Sequence, residues 1–318
     1  MTVNGNIKIK SEGSYHKKRR TFFVLLAWLS LIFAILISEK ISKYVRVGLE
    51  LCTSTVISSV FPFLILTDLI SSTPGFEEIR VLRKLFERAF KINGYAINSF
   101  LIGITCGFPI GAKSAAELYK NRKISKEECE RLIGFCNNTG PAFIISGLGA
   151  AMRGSILDGV ILYLTMIISA VIVGIIFGIG KSYSQTRSAC NNLYFDFPSS
   201  VKNAATNTLG ICGFVVLFSV ICGIISDFLK TSGFLFYILP FIEVTNAASI
   251  LEKSTALPKA FSLMLTSFSI SFSGLSVHFQ TSSFLRGLNI SMKKYYLMKL
   301  AQGAVSSLLT LAIILIIG

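Results

Sequence analysis

The chain has 318 residues, is 52% hydrophobic and only 15% charged, and its mean hydropathy is +0.67. Soluble domains carry about 25% charged residues, so composition excludes a water-soluble enzyme or binding module and places the bulk of the chain in lipid. The formal charge of +15 does not imply nucleic acid, because the basic residues sit in short segments between apolar runs rather than along one polar face.

Residues 1–20 form a basic tail with Lys8, Lys10, Lys17, Lys18, Arg19 and Arg20, which predicts a cytoplasmic N-terminus. Five runs, 21–38, 47–71, 155–180, 204–229 and 297–318, have or approach the length that crosses about 30 Å of hydrocarbon at roughly 1.5 Å per residue. The first is a retained helix rather than a cleaved leader, since no small-residue cleavage site precedes Glu39-Lys40. With an outer loop at 39–46 it makes a unit over 21–46. Segment 76–93 alternates Arg80, Arg83, Lys84, Arg88 and Lys91 with Ile79, Leu82, Leu85, Phe86 and Phe90 at helical spacing, predicting an amphipathic helix on the inner surface.

Residues 95–106 are apolar but too short to span, and they end at Gly107-Phe108-Pro109-Ile110-Gly111. A second short helix, 112–119, runs into the charged stretch 120–131. Two half-length helices joined by Gly and Pro, with both outer ends charged, predict a re-entrant hairpin. The next span, 131–152, is broken at Asn137-Asn138-Thr139-Gly140-Pro141. Helix 155–180 returns the chain to the inside, and the polar stretch 181–203 is a cytoplasmic linker.

After helix 204–229 the pattern recurs. Short segments at 234–240 and 243–251 form a second pair broken around Phe241-Ile242-Glu243-Val244-Thr245-Asn246, and a span over 257–285 is interrupted at 269–274. Phe108 and Phe241 lie 133 residues apart, and Gly140 and Gly274 lie 134 apart. The matching order of span, hairpin and broken span predicts an all-α polytopic membrane protein with inverted structural repeats over 47–180 and 204–318, containing two re-entrant helical hairpins and two broken transmembrane helices.

Peptide groups released in hydrocarbon cost several kcal/mol each unless they are satisfied, so the breaks are the candidate site. The expected binding residues are Gly107, Pro109, Gly111, Lys113, Asn137, Asn138, Thr139 and Gly140 in the first half. In the second half they are Glu243, Thr245, Asn246, Ser271, Ser273, Gly274 and Gln280. Lys113 could pair with a carboxylate of the cargo, or instead snorkel or pair with Glu117 one turn on. Glu243 could carry a proton or Na⁺, or pair with Lys113. The seven cysteines show no CxxC spacing and there are only two histidines, so no metal centre and no cofactor is expected. No Ser/His/Asp, Cys/His or paired-carboxylate constellation points to an enzyme, and no GxxxxGK[ST] motif supplies a nucleotide energy domain.

The run GFPIGAKSAAELYKNRKISKEECERLIGFCNNTGPAFIISGLG, 107–149, resembles the signature of the YlbJ-like sporulation integral membrane proteins, a branch of the nucleoside-recognition or Gate group. Phe61-Pro62-Phe63, Glu243-Val244-Thr245-Asn246 and Phe272-Ser273-Gly274 with Gln280 extend the resemblance over roughly 20–315. Asn246-Ala247-Ala248 departs from it where a glycine is expected. The resemblance implies a transporter-like protein of spore formers that delivers dipicolinate, a small dicarboxylate, across the forespore membrane; coupling to H⁺ or Na⁺ is the expectation that Glu243 carries. The alternative is a non-transporting assembly protein of the developing spore. Homo-oligomerisation is left open.

Overall fold

The computed structural model describes residues 21–71, 76–184, 196–229, 238, 241–244, 251 and 258–317, and the regular elements among them are all helical. The basic tail, Thr245, Asn246 and most of the expected second hairpin lie outside the described residues.

Helix α1 (Thr21–Leu36) turns by 88° into α2 (Ser38–Leu51), which continues through a π-helical turn at Cys52–Val56 into α3 (Ile57–Ser71). The outer loop expected at 39–46 is therefore absent. The stretch 38–46 contains neither Gly nor Pro, so nothing interrupts its helical ladder. Lys40 pairs with Asp227 across 3.1 Å instead of marking a loop. α1 is exposed along nearly all of its length, Phe22, Trp28 and Leu36 included.

The amphipathic segment forms α4 (Arg80–Phe90) behind a 3₁₀ turn at Phe76–Glu78. Its Phe86 and Phe90 are buried, and the Phe90 ring stacks on Phe135 at 4.8 Å. Burial of each such ring stabilises by about 1.5–3 kcal/mol. Val81 and Leu85 stay exposed beside Lys84 and Arg88, so one face of α4 docks on the protein and the other keeps an interfacial character. The Arg131 guanidinium donates to the carbonyls of Phe90 (3.2 Å) and Lys91 (2.6 Å), satisfying acceptors that the end of α4 leaves open.

Helices α5 (Ala96–Thr105) and α6 (Ile110–Lys120) pack on each other as the sequence predicts, joined by a short turn at Gly107. Gly103 and Gly111 let both helices approach the carbonyl of Cys136, the last residue of α7 (Lys126–Cys136). Ser125 caps α7 in a reciprocal capping box with Glu128. The buried Glu128 carboxylate accepts from the backbone N–H groups of Ser125 (2.7 Å), Asn93 (2.7 Å) and Ser184 (3.1 Å), and from the Ser184 hydroxyl. One side chain thus ties three separate chain segments together.

After 137–140, which is not helical, the chain forms a π-helix at Ala142–Met152 and then α8 (Ile156–Ile176). The expected break at 137–141 is present. Helix α9 (Phe197–Phe228) starts seven residues earlier than expected and shortens the linker. Pro198 suits the first turn, where its missing N–H has no helical acceptor to lose. Next come α10 (Lys259–Phe272), α11 (Gly274–Phe284) and α12 (Lys293–Ile317). The interruption expected over 269–274 shrinks to one residue, Ser273, whose φ of 78° and ψ of −7° redirect the chain. Among the described residues four stretches are long and apolar enough to cross a membrane, with the bent pair at 21–36 and 38–54 as a fifth if it counts as one span.

α12 packs along α10 and α8, and α2 packs along α9. Where α8, α10 and α12 meet, hydroxyls fill the seam. Thr310 donates to Ser267 (2.7 Å) and lies 3.1 Å from Thr165, and Ser267 and Ser306 are 2.8 Å apart.

Candidate functional site

A cavity of about 160 Å³ lies where the helix interruptions come together. Gly107 and Phe108 from the α5–α6 turn, Thr139–Ala142 from the first break, and Glu243 and Val244 line it, with Ser276, Val277 and Gln280 of α11. α2, α3 and α9 close it with apolar side chains such as Leu51, Phe63, Ile211 and Val215. Its wall is mostly apolar, with a few polar groups that converge, the usual chemistry of a small-solute site.

Backbone geometry explains why the breaks can meet. Gly107 has φ +83°, and a Cβ there would stand 2.7 Å from the N of Gly140. Gly274 has φ +69°, and a Cβ there would stand 3.1 Å from the Ile242 carbonyl oxygen and 3.2 Å from the Glu243 N. At both places a glycine in a conformation that disfavours side chains permits a close backbone approach.

The expected residues divide between the cavity and its surroundings. Gly107, Thr139, Gly140, Glu243 and Gln280 line the cavity. Thr139 donates to the Ile270 carbonyl (2.7 Å), anchoring the first break to α10. Gln280 is 3% exposed, and its amide donates to Ser276 (3.3 Å) while its Oε1 has no hydrogen-bond partner among the described residues. Pro109 and Gly111 shape and pack the α5–α6 turn and do not line the cavity. Ser271 and Ser273 are fully buried in and beside the second interruption.

Of the readings open for Lys113, the pairing with Glu117 is the one present. The lysine does not line the cavity, and its ammonium pairs with Asp68 of α3 and with Glu117 (3.5 Å). Asp68 also accepts from Ser200 of α9 (2.9 Å), so the pair joins α3, α6 and α9. The cause is local: helical geometry puts Glu117 over Lys113, and α3 carries the second carboxylate to the same point. Lys113→Met and Asp68→Asn should each lower the melting temperature, and the double variant should lose about 1–2 kcal/mol less than the two single losses together. Additive losses in a thermal double-mutant cycle would dissolve the tie.

Asn137 and Asn138 face away from the cavity into a polar cluster that the sequence reading overlooked. Asn137 donates to the Thr281 hydroxyl (2.8 Å), and His278 Nδ1 lies 3.0 Å from the Tyr295 hydroxyl. Lys299 of α12 is fully buried here. It donates to the Asn137 carbonyl (2.9 Å) and to Gln302 Oε1 (2.8 Å), with Asn138 Oδ1 at 3.5 Å. Lys299, Gln302, Ser306 and Thr310 recur every three or four residues, a polar stripe on an otherwise apolar helix that could have located the cluster.

The chain is similar to the sporulation integral membrane protein YlbJ of Bacillus subtilis (strain 168), with 25% identity over 306 residues that cover 81% of this chain and 74% of that protein. No protein-family profile matches the chain. No solved structure matches it.

Proposed function

We propose, from a YlbJ-like chain as the premise, that the protein is a sporulation membrane carrier that passes a small anionic solute through the cavity at the helix interruptions. Dipicolinate is the solute that the family resemblance implies. The observation that carries this reading is the cavity itself: the α5–α6 turn, the 139–142 break and Glu243–Val244 all border one space. Interrupted helices are tolerated at membrane depth only where protein, water or cargo satisfies the freed peptide groups. A cavity of about 150 Å³ accepts a benzene ring, so the space suits one small aromatic solute, with Phe108 and Phe143 as ring partners.

The inverted-repeat plan is part of the proposal. The contact of Gly107 with Gly140 in the first half and of Gly274 with Ile242–Glu243 in the second supports it. In that plan α5 and α6 form a re-entrant hairpin, the N-terminus is cytoplasmic, and carriage is the movement of one half against the other. Among the described lining residues Glu243 is a carboxylate, and no Lys or Arg stands there. An anion therefore enters alongside a proton on Glu243, since two like charges in an apolar cavity repel strongly. The protein acts as a proton-coupled carrier and not as an enzyme.

Uptake of labelled dipicolinate by proteoliposomes tests this. Wild-type protein should exceed protein-free vesicles and respond to an inward proton gradient. Glu243→Gln should abolish that response and cut uptake about tenfold, equivalent to about 1.4 kcal/mol. Folded protein that took up no more than empty vesicles would leave the assembly role in place of carriage.

A further inference from the structure

Lys299 has an environment that proton-coupled carriage by Glu243 does not use. Its side chain is completely buried, and its ammonium is surrounded by neutral oxygens: the Asn137 carbonyl, Gln302 Oε1 and Asn138 Oδ1. No salt bridge among the described residues pairs it with a carboxylate. Enclosing an ammonium this way is costly unless its protons are hydrogen-bonded, and three oxygens stand within reach to accept them.

They are held in place from behind. Gln302 donates its own amide hydrogens to Asn138 Oδ1 (2.8 Å) and to the Met166 carbonyl (3.3 Å), which fixes its Oε1 toward the ammonium. Asn138 donates to the Phe135 carbonyl (2.7 Å), which turns its Oδ1 inward. The Asn137 carbonyl is available because α7 ends at Cys136, and the C-terminal end of a helix carries partial negative charge. Three oriented oxygens, one from broken backbone and two from side-chain amides, match three N–H donors. Backbone carbonyl oxygens of this kind also coordinate alkali cations in channels and transporters.

We propose that Lys299 is a tethered cation: its ammonium fills an alkali-cation site at the first broken helix, so that the site is permanently occupied and the protein works without sodium. The inference rests on the carrier reading for its purpose, but the site is tested without transport. The purified full-length protein is melted in sodium, potassium or N-methyl-D-glucamine chloride. Wild-type protein should melt at the same temperature in all three. Lys299→Ala, which empties the site and leaves its oxygens unpaired, should melt about 5 °C or more lower in N-methyl-D-glucamine and regain several degrees in sodium. Lys299→Met, which keeps the bulk of the stem, should be destabilised without a sodium response.

Should Lys299→Ala unfold on removal of sodium and survive with it, the site is equally supported. Sodium stabilisation of the wild type, or a Lys299→Ala protein that is equally unstable in every salt, overturns the proposal. Failed dipicolinate uptake would sink carriage and leave these melting results standing.

Discussion

Gly103→Ala should leave little or no folded protein in detergent, whereas Gly213→Ala should melt at or slightly above the wild-type temperature. A Cβ at Gly103 would stand 1.6 Å from the Cys136 carbonyl oxygen, an impossible separation, and its obstacle is backbone that cannot rotate away. Overpacking a core costs about 1–3 kcal/mol where side chains can adjust, and here the adjustment must separate α5 from α7. That movement would disturb the 137–141 break, since Gly111 approaches the same carbonyl from α6. Gly213 has open space around its position in α9, so alanine there gains up to about 1 kcal/mol of helix propensity and clashes with nothing. Melting curves and the monodisperse fraction on size exclusion measure both. Equal behaviour of the two variants would show that close backbone approach at Gly103 is not what holds the hairpin against α7.

The second large effect is expected at Glu128. Burial alone would raise its carboxyl, but hydrogen bonds from Ser184, Ser125 and Asn93 more than offset this and hold it below its ordinary value of 4.5. Glu128→Gln keeps the shape but replaces one acceptor oxygen with an amide NH2 whose hydrogens oppose the N–H donors. A loss of about 3 kcal/mol follows from the unpaired groups. Because the native carboxyl is depressed, its contribution is complete above 4.5 and fades as pH falls through the lowered native value. The stability gap between wild type and Glu128→Gln should therefore be constant near neutrality and close in acid. A gap that widened in acid would contradict the assignment.

Glycine and proline made the α5–α6 hairpin and the 137–141 break legible, because these residues act on the backbone directly and independently of what packs nearby. Polarity was a poorer guide to boundaries. The basic residues of 40–46 and the polar residues of 197–203 suggested loops, but neither set disrupts a helix, and both stretches are helical. The serines of 269–273 suggested a wide interruption. Only Ser273, beside Gly274, leaves the helix, because serine hydroxyls can bond within a helix without unwinding it. Sequence placed Glu117 one turn from Lys113, but a charge near an apolar span does not show what faces it across the fold. Asp68 claims Lys113 from α3, and the 137–138 carbonyl and amide oxygens claim Lys299 from the end of α7. Both partners are distant in the chain.

The hydroxyl seam between α8, α10 and α12 bears on how these helices can shift. A hydroxyl donates once, accepts twice and rotates freely, and Thr165, Ser267, Ser306 and Thr310 offer one another several partners within 2.7–3.5 Å. A small sliding of α12 would trade one of these bonds for another rather than break the seam outright. The stacked rings of Phe90 and Phe135 offer no such exchange, so a displacement of α4 against α7 would forfeit packing outright.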